Sequence, residues 1–445
     1  MINDNISAIS TSLSASGVAV IRVSGSSPLS VAEKIFKPTG KTAVKDFIPN
    51  MMYTGEILAD GFNDFGLCVY FKAPKSFTGE DVVEFHCHGG LAITKGVLKA
   101  TLSNGARLAK NGEFTKRAFM NGKISLSGAE GLIDMINGES ESQARAGYYL
   151  YREKLTAQIS AMQDLLTETL SEIDADMDFP EEDLEVASRD TARKNLYEVE
   201  KRIDKLLISY KTGRTLKNGV RVGIVGKPNT GKSSLLNALL NYEKAIVSDT
   251  AGTTRDIVEG VIDIQGVRFY FSDTAGIRES DDGIEAIGVK LSKKVADESD
   301  LVVFVIDGVS FSEEDKAIYN EVKDKNLIVV QNKSDLIDNK IDIAELLISA
   351  KQGESLEELK GLMYEKTVGG GMDLNGDFLC EERHYEALVR AKNHLSQAID
   401  TVNDAQLDLL AIDVMDAWSA LGEITGKTAS EEIINDIFSR FCVGK

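Results

Sequence analysis

The spacing of apolar residues predicts different secondary structure in successive parts of the chain. From Met1 to Phe119, short apolar runs are bounded by turn residues, a pattern typical of strands mixed with some helix. Three of these runs are Gly17–Gly25, Phe65–Phe71 and Val82–Phe85. We therefore expect an α+β domain at the amino terminus.

The pattern then changes to helical periodicity. Ser127 and Glu130 form an S-x-x-E pattern, which predicts a capping box at a helix start. The stretch Tyr148–Phe179 contains no Gly or Pro, and its apolar residues recur three and four positions apart, as they do again from Leu196 to Leu206. The stretch Asp377–Leu421 also lacks Gly and Pro and predicts helix.

Between these helical stretches, strands and helices alternate, as a parallel α/β sheet requires. A Gly-rich break at Gly369–Gly371 ends this block, and we find no internal repeats. The simplest arrangement inserts the α/β block into a helical domain whose two parts pack together. The predicted strands of the block are Val220–Val225, Val267–Phe271, Leu301–Ile306, Leu327–Val330 and Leu346–Ile348.

Composition narrows the class of protein. The 445 residues are 43% hydrophobic and 27% charged, which is ordinary for a globular protein. No apolar run approaches the roughly 18 residues that span a bilayer, the first residues do not resemble a secretion signal, and the four cysteines form no disulfide framework or CxxC pair. We therefore expect a cytoplasmic protein without membrane contact. The net charge of −20 argues against a dedicated nucleic-acid binder, although a local basic surface or a basic partner could override it.

The strongest motif is a phosphate-binding loop. Gly226–Ser233 reads GKPNTGKS, which fits G-x-x-x-x-G-K-[ST], and it lies between a predicted strand and the helical run Leu235–Leu240. Backbone N–H groups of such a loop surround phosphate oxygens, and the helix adds its amino-terminal partial charge. Lys232 should contact the outer phosphates, and the Ser233 hydroxyl should bind Mg²⁺.

Four further segments specify the nucleotide. Asp273–Gly276 (DTAG) follows a strand, where the carboxylate can reach Mg²⁺ through water; Gly252–Thr254 (GTT) lies where a switch segment offers a Thr to Mg²⁺. In Asn332–Asp335 (NKSD), the carboxylate of Asp335 can accept hydrogen bonds from both N–H donors of guanine, which adenine lacks. Ser349–Lys351 (SAK) can support the base. The ordered set predicts a GTPase.

The catalytic residue of Ras-like enzymes is absent. Those enzymes carry a water-orienting Gln after DxxG, where this chain has Ile277. Either hydrolysis is very slow or another device replaces the Gln. The carboxamide of Asn229 could bind a monovalent cation beside the phosphates, and Glu285 could align the water. On residue chemistry alone, Asn229 could equally be an ordinary loop residue and Glu285 a solvated charge.

The whole chain resembles the MnmE (TrmE) family of tRNA-modifying GTPases. The resemblance rests on GKPNTGKS, SDTAGTTRD (Ser248–Asp256), DTAGIRE and the terminal Phe441–Lys445 (FCVGK), together with SFTGEDVVEFHCHGG (Ser76–Gly90) and GEFTKRAFMNGKISL (Gly112–Leu126). One departure is TSLSASG at Thr11–Gly17, where the family usually has a Pro-Pro-Gly-type turn. Ser248 and Thr250 also replace residues that are common in relatives.

The resemblance implies a multidomain α/β and α fold, with a P-loop GTPase domain inserted in a helical domain and preceded by an α+β folate-binding domain. The expected boundaries are 1–119 for the folate-binding and dimerisation domain, 120–218 and 372–445 for the two parts of the helical domain, and 219–371 for the G domain.

The resemblance also implies an activity and partners. A homodimer would work with the FAD-dependent protein MnmG (GidA), in a heterotetramer or larger complex, on tRNA. The reaction would add a carboxymethylaminomethyl or aminomethyl group to C5 of wobble uridine 34, with the one-carbon unit from 5-formyl- or 5,10-methylene-tetrahydrofolate. Potassium would drive pairing of G domains across the dimer and so trigger GTP hydrolysis.

Motif and resemblance together assign the site residues. Glu285 matches the water-orienting residue, and Cys442 is a candidate reactive thiol. Mg²⁺ would be bound by Ser233 and Thr254; K⁺ by Asn229, Ser248, Thr250 and Thr253; folate by Arg22, Glu84, Lys123 and Lys445. The residues expected to contact GTP are Asn229, Thr230, Gly231, Lys232, Ser233, Ser234, Ser248, Asp249, Thr250, Ala251, Gly252, Thr253, Thr254, Asp273, Thr274, Ala275, Gly276, Asn332, Lys333, Asp335, Ser349, Ala350 and Lys351.

Three alternatives stay open at this point. His86-Cys87-His88 invites a metal site, but two imidazoles and an opposed thiol do not complete a tetrahedral one. The tail Phe441–Lys445 could be a solvated terminus, the default for the last residues of a chain. A regulatory GTPase that only recruits partners, for example in ribosome assembly, would share the same loop chemistry.

Overall fold

The computed structural model of the protein describes residues 4–59, 61–178, 185–241, 258–272, 292–307, 311–336, 339–369, 378–402 and 407–445. The chain forms two compact units. The first comprises Met1–Ile133, Tyr148–Glu200 and Arg390–Lys445, and the second comprises Asp134–Gly147 and Lys201–Val389.

The elements are numbered in chain order. The strands are β1 Asn5–Ile9, β2 Ser16–Gly25, β3 Phe36–Pro38, β4 Met52–Ala59, β5 Phe62–Phe71, β6 Asp81–Gly89, β7 Ala106–Leu108, β8 Val220–Val225, β9 Val258–Ile264, β10 Val267–Ser272, β11 Leu301–Asp307, β12 Leu327–Asn332 and β13 Leu346–Leu347. The helices are α1 Pro28–Ile35, α2 Leu91–Ser103, α3 Glu113–Met120, α4 Leu126–Asn137, α5 Glu141–Tyr151, α6 Lys154–Asp178, α7 Glu185–Asn218, α8 Lys232–Asn241, α9 Glu313–Val322, α10 Leu356–Val368, α11 Glu382–Thr401, α12 Leu407–Thr425 and α13 Glu431–Ser439.

A seven-stranded sheet dominates the amino-terminal part of the first unit. Its order is β3-β4-β5-β6-β2-β1-β7, antiparallel except for the β1–β7 pair. Alternating residues of β2, such as Ile21 and Val23, are fully buried, and they share a core with Val31 of α1 and Val97 of α2. This period-two burial is the pattern of a sheet with one covered face, so the expected α+β class is confirmed.

Long helices form the rest of the first unit. In the pair α6–α12, the Gln163 side chain donates to the Trp418 carbonyl at 3.0 Å, and the Trp418 indole donates to Thr167 Oγ1 at 3.1 Å. These two helices lie more than 200 residues apart in the sequence, on either side of the α/β block. The helical parts therefore pack together, as an inserted domain requires.

A six-stranded sheet forms the centre of the second unit. Its order is β13-β12-β11-β8-β10-β9, with β9 antiparallel and the other strands parallel. The residues of β11 from Leu301 to Ile306 are buried on both faces, which is characteristic of a parallel strand covered by helices on both sides. Loops at the carboxyl ends of such strands carry ligand sites.

Several local predictions were wrong. Helix α4 begins before Ser127, and the cap is Ser125, whose hydroxyl accepts from the Gly128 N–H at 2.9 Å; the predicted capping box therefore lies inside the helix. The stretch Tyr148–Phe179 is divided into α5 and α6 by Glu153, which adopts φ 58°. The stretch Asp377–Leu421 contains α11 and part of α12 rather than one helix. Strands β1, β3, β4, β7 and β9 were missed, because their apolar runs are short or interrupted.

Candidate functional site

The phosphate-binding loop connects β8 to α8 and depends on two glycines. Gly226 has φ 149° and Gly231 has φ 95°. A Cβ atom at Gly226 would overlap the Val305 carbonyl, and one at Gly231 would overlap the side-chain amide of Asn332. The motif therefore needs glycine at both positions because backbone and side chains of neighbouring strands approach the loop closely.

The loop presents its charged and hydroxyl side chains at the start of α8. Lys232 Nζ donates to the Gly226 and Lys227 carbonyls, both at 2.8 Å, and burial lowers the pKa of Lys232. Ser233 and Ser234 are exposed in the first turn of the helix. The N–H groups of that turn and the helix dipole favour an anion there. Lys232, Ser233 and Ser234, all predicted to contact the triphosphate or its metal ion, thus lie together in the first turn of α8.

The motifs predicted to bind the base are joined to the phosphate loop by hydrogen bonds. Asn332 Nδ2 donates to the Thr230 carbonyl at 2.9 Å, and Asn332 Oδ1 accepts from the Ala350 N–H at 3.0 Å. The Ser349 hydroxyl donates to Asp335 Oδ1 at 3.0 Å. Asn332 thus joins its own segment to the phosphate loop, 102 residues earlier, and to the Ser349–Lys351 segment, with Ala350 18 residues later. One carboxylate oxygen of the exposed Asp335 is held by Ser349.

Lys333 completes this connection. Its Nζ donates to the Asn229 carbonyl at 3.0 Å and pairs with Asp307 at 2.6 Å. Asn229 itself adopts φ 64°, and its carboxamide has no hydrogen-bond partner among the residues that the structure describes. Lys333 therefore fixes the backbone of Asn229, whereas no described residue holds its side-chain oxygen. Lys351 follows in the same loop and is exposed.

Sequence reasoning missed a second support of the loop. Lys227 Nζ pairs with Asp315 at 2.9 Å and lies 3.8 Å from Asp307. Asp315 is fully buried and caps α9 together with Ser312. The sequence signal for this contact was weak. Lys227 occupies a variable position of the motif, and the S-x-x-D cap of Ser312 and Asp315 is a common pattern, so neither feature points to the other.

The switch predictions lie outside the described residues. They comprise Ser248, Asp249, Thr250, Ala251, Gly252, Thr253, Thr254, Asp273, Thr274, Ala275, Gly276 and Glu285, together with Ile277.

In the first unit, Arg22 and Glu84 form an ion pair across adjacent strands. Their register partners are one another, and Arg22 Nε lies 2.7 Å from Glu84 Oε1. Burial opposes the charge of Glu84, but His86 and Arg22 outweigh it and lower the pKa of this carboxyl. The Arg22 guanidinium lies over Phe77 and Phe114, at 5.1 and 5.7 Å from the ring centroids.

The carboxyl-terminal tail packs on the same domain. Val443 forms a β-bridge with Asn111, and the Ser10 hydroxyl donates to the Gly444 carbonyl at 3.3 Å. Gly444 has φ 105°, and a Cβ atom there would overlap the Ile9 carbonyl. Phe441 is 2% exposed. The tail is therefore anchored and is not a solvated terminus.

The tail and the ion pair are linked through the sheet. Ile9 pairs with Ile21, the residue before Arg22. Cys442 is exposed and Lys445 is half-buried. Lys123 lines a cavity together with Phe77, the ring under the Arg22 guanidinium. The structure thus groups Arg22 with Glu84, connects them to Lys123 through Phe77, and brings the tail to the neighbouring strand.

The His86-Cys87-His88 segment has other contacts. His88 Nδ1 lies 2.7 Å from Asp64 Oδ1, and His86 Nε2 lies 3.5 Å from Glu84 Oε2. Burial raises the pKa of the Cys87 thiol to about 11. In the described part of the chain, no three His, Cys, Asp or Glu residues are grouped as metal ligands would be. Nor does any described helix combine the length and apolar character needed to cross a bilayer.

Comparisons with known proteins identify the family. Residues 5–123 match the model of the GTP-binding protein TrmE N-terminus, and residues 126–442 match that of the MnmE helical domain. The tRNA modification GTPase MnmE of Thermoanaerobacter pseudethanolicus is 40% identical over 461 residues, and that of Clostridioides difficile is 38% identical over 458; in both cases all of each chain is covered.

A solved structure is similar to part of the chain. Era of Aquifex aeolicus, crystallised with GDP and AlF4⁻, is 31% identical and covers 39% of this chain and 66% of its own, with a TM-score of 0.27. That score is too low to support a conclusion. The two family models and the full-length relatives are sufficient: the chain belongs to the MnmE (TrmE) family, and it is a GTPase with a role in tRNA modification.

Proposed function

We propose that the protein is a potassium-activated GTPase that modifies C5 of wobble uridine 34 in certain tRNAs. Acting as a homodimer with the FAD-dependent partner MnmG (GidA), it would add a carboxymethylaminomethyl or aminomethyl group, using a one-carbon unit from 5-formyl- or 5,10-methylene-tetrahydrofolate. A cytoplasmic location belongs to the same proposal. The main observation in support of this proposal is the anchored tail. The tail Phe441–Lys445, which resembles that of the family, packs on the domain that contains Arg22 and Glu84.

The residues at the phosphate loop fit two cations. Ser233 offers a hydroxyl at the start of α8, where Mg²⁺ beside the outer phosphates would neutralise their charge. Asn229 offers a carboxamide oxygen that no described residue holds, the type of hard ligand that K⁺ takes, and its left-handed backbone is fixed by Lys333. A cation there would supply charge that an arginine finger supplies elsewhere. The further ligands proposed, Thr254 for Mg²⁺ and Ser248, Thr250 and Thr253 for K⁺, lie with Glu285 outside the described residues.

The residues of the first unit fit a reduced folate. Its pterin ring presents an amide and amino edge, which a carboxylate such as Glu84 can bind with paired hydrogen bonds. The lowered pKa of Glu84 keeps it ionised and able to accept both bonds at neutral pH. The glutamate tail of folate carries carboxylates, which suit cations such as Arg22, Lys123 and Lys445. Cys442, exposed in the anchored tail, is the proposed reactive thiol.

The hydrolysis proposal is tested by exchanging the cation. GTP turnover by the full chain should rise about tenfold or more when K⁺ replaces Na⁺ at equal ionic strength. Asn229→Ala should flatten this response and leave nucleotide affinity nearly unchanged, because the backbone contacts of the loop remain. Equal turnover of the parent in the two salts would contradict the proposed role of Asn229.

The modification proposal is tested in cells. Nucleosides of tRNA from a strain without this protein should lack the modified uridine by mass spectrometry, and the parent chain should restore it. A chain that ends at Arg440 should not restore it, yet its K⁺-stimulated GTP hydrolysis should persist. Unchanged uridine 34 in the deletion strain would favour a regulatory GTPase that only recruits partners.

A further inference from the structure

The first unit contains a cavity of about 350 Å³ that is lined by two cationic side chains, and the contacts described above give these cations no role. Its wall includes Ser76 and Phe77, which are half-buried, and its rim includes Lys123, Tyr151 and Arg152, which are exposed. The cavity lies beside the Arg22–Glu84 pair, because Phe77 contributes to its wall and also carries the Arg22 guanidinium.

The two cations at the rim have no carboxylate partner in the described part of the chain. Lys123 and Arg152 form no ion pair there, and Arg152 instead lies over the Tyr148 ring, 5.9 Å from its centroid. By contrast, Arg107 and Arg117 of the same domain both bind Glu113. Two unpaired cations at one cavity favour an anionic ligand.

Glu153 also lines the cavity, but it forms no ion pair with either cation in the described part of the chain. Its Oε1 accepts from the Ser125 N–H at 2.9 Å at the start of α4, where a carboxylate is favoured by the helix dipole. The same residue adopts φ 58° between α5 and α6. This left-handed conformation is unfavourable for a non-glycine residue, and it turns the chain where Tyr151 and Arg152 reach the rim.

Arg22 is less available for a ligand carboxylate than Lys123 and Arg152. Its Nε is engaged by Glu84, and its guanidinium plane is covered by two aromatic rings. Lys123 and Arg152 therefore remain available to an anion at this cavity.

We propose that this cavity binds the glutamate tail of the folate and that Arg152 makes the site prefer folates whose tail is extended by γ-linked glutamates. The proposal rests on the folate binding proposed above. Each added glutamate brings one further negative charge, because its amide bond consumes one carboxylate and the new residue carries two. A volume of about 350 Å³ is at the lower end for ligand pockets, so it suits a tail rather than a whole folate.

The test compares two tail lengths. Affinities of the full chain for 5-formyltetrahydrofolate with one and with three glutamates are measured by isothermal titration calorimetry. The parent should bind the triglutamate about five- to tenfold more tightly, as partly exposed charge pairs allow. Arg152→Ala should remove this preference while affinity for the monoglutamate changes little, and raising the salt concentration should weaken the preference of the parent.

Two further variants separate charge from folding. Arg152→Lys should keep part of the preference, because the charge remains at the rim. Lys154→Ala removes a neighbouring exposed cation that does not line the cavity and should keep all of it. Equal affinities of the parent for both folates, or a preference that survives Arg152→Ala, would overturn the proposal. If the parent binds neither folate, the proposed folate function itself fails, and the tail site fails with it.

Discussion

Polar side chains are arranged differently in two regions of the molecule. In the phosphate and base loops of the second unit they have hydrogen-bond partners, whereas the cations at the cavity of the first unit do not have ion-pair partners in the part of the chain that the structure describes. In the loops, Lys232, Asn332 and Lys333 bond to backbone carbonyls or to other motif residues. At the cavity, Lys123 and Arg152 have no ion-pair partner among the described residues. The bonded side chains of the loops are fixed in position before a ligand binds. The cations at the cavity provide positive charge for a ligand.

This contrast has a physical consequence. A network in which each group supports another responds strongly and non-additively to single changes, since one substitution removes several contacts. Isolated exposed charges act independently, and solvent screens each of them. Substitutions in the loops should therefore have large effects, and substitutions near the cavity should have small, separable ones.

The largest effect is expected from Gly231→Ala. The new methyl group would overlap the Asn332 side-chain amide, and the φ of 95° is unfavourable for alanine. Affinity for GTP, measured by calorimetry, should fall about 100-fold or more, roughly 2.7 kcal/mol. Gly361→Ala is the control, because Gly361 lies inside α10 with nothing within 4 Å of its added Cβ. Parental affinity of Gly231→Ala would show that the loops are not tightly joined.

The next effect concerns the guanine base. Asp335→Asn replaces an acceptor with a donor opposite the guanine N–H groups, so affinity for GTP should fall about 100-fold and that for xanthosine triphosphate should rise. Ser349→Ala is a milder companion, since it removes only the hydroxyl that holds Asp335 Oδ1. Competition binding experiments with GTP and xanthosine triphosphate measure this change in preference. If Asp335→Asn binds GTP as tightly as the parent, Asp335 does not contact the base.

The smallest effect is expected in the first unit, from Gly444→Ala. The added Cβ would overlap the Ile9 carbonyl and displace the tail from β1. Affinity for 5-formyltetrahydrofolate should fall about tenfold, roughly 1.4 kcal/mol, with GTP hydrolysis unchanged.

Gly61→Ala is the matched control for this change. Gly61 also has a positive φ, 85°, but its added Cβ meets nothing within 4 Å. It therefore introduces similar backbone strain without the overlap. If Gly61→Ala weakens folate binding as much as Gly444→Ala does, strain rather than displacement of the tail is responsible.

Local signals were sufficient for much of the second unit. The predicted strand Val220–Val225 has the same bounds in the structure, because a buried parallel strand is a continuous apolar run that ends at a turn. The prediction of one continuous helix from Tyr148 to Phe179 was wrong. Glu153 divides this stretch in two, although nothing in its residue type marks the left-handed turn. Short edge strands such as β3 and β7 have too few residues to show a period.

The sequence by itself determined the chemistry of the nucleotide site, because each motif is contiguous and its glycine, lysine and asparagine have the same local task wherever the motif occurs. Only the tertiary structure decided which distant residues meet. The antiparallel register of β2 and β6 pairs Arg22 with Glu84, and packing against Ile9 holds Gly444, 435 positions away. The cavity likewise combines Lys123 with Arg152 from a turn between two helices. Periodicity reports the conformation of neighbouring residues, whereas such contacts depend on how whole elements bury their apolar faces against one another.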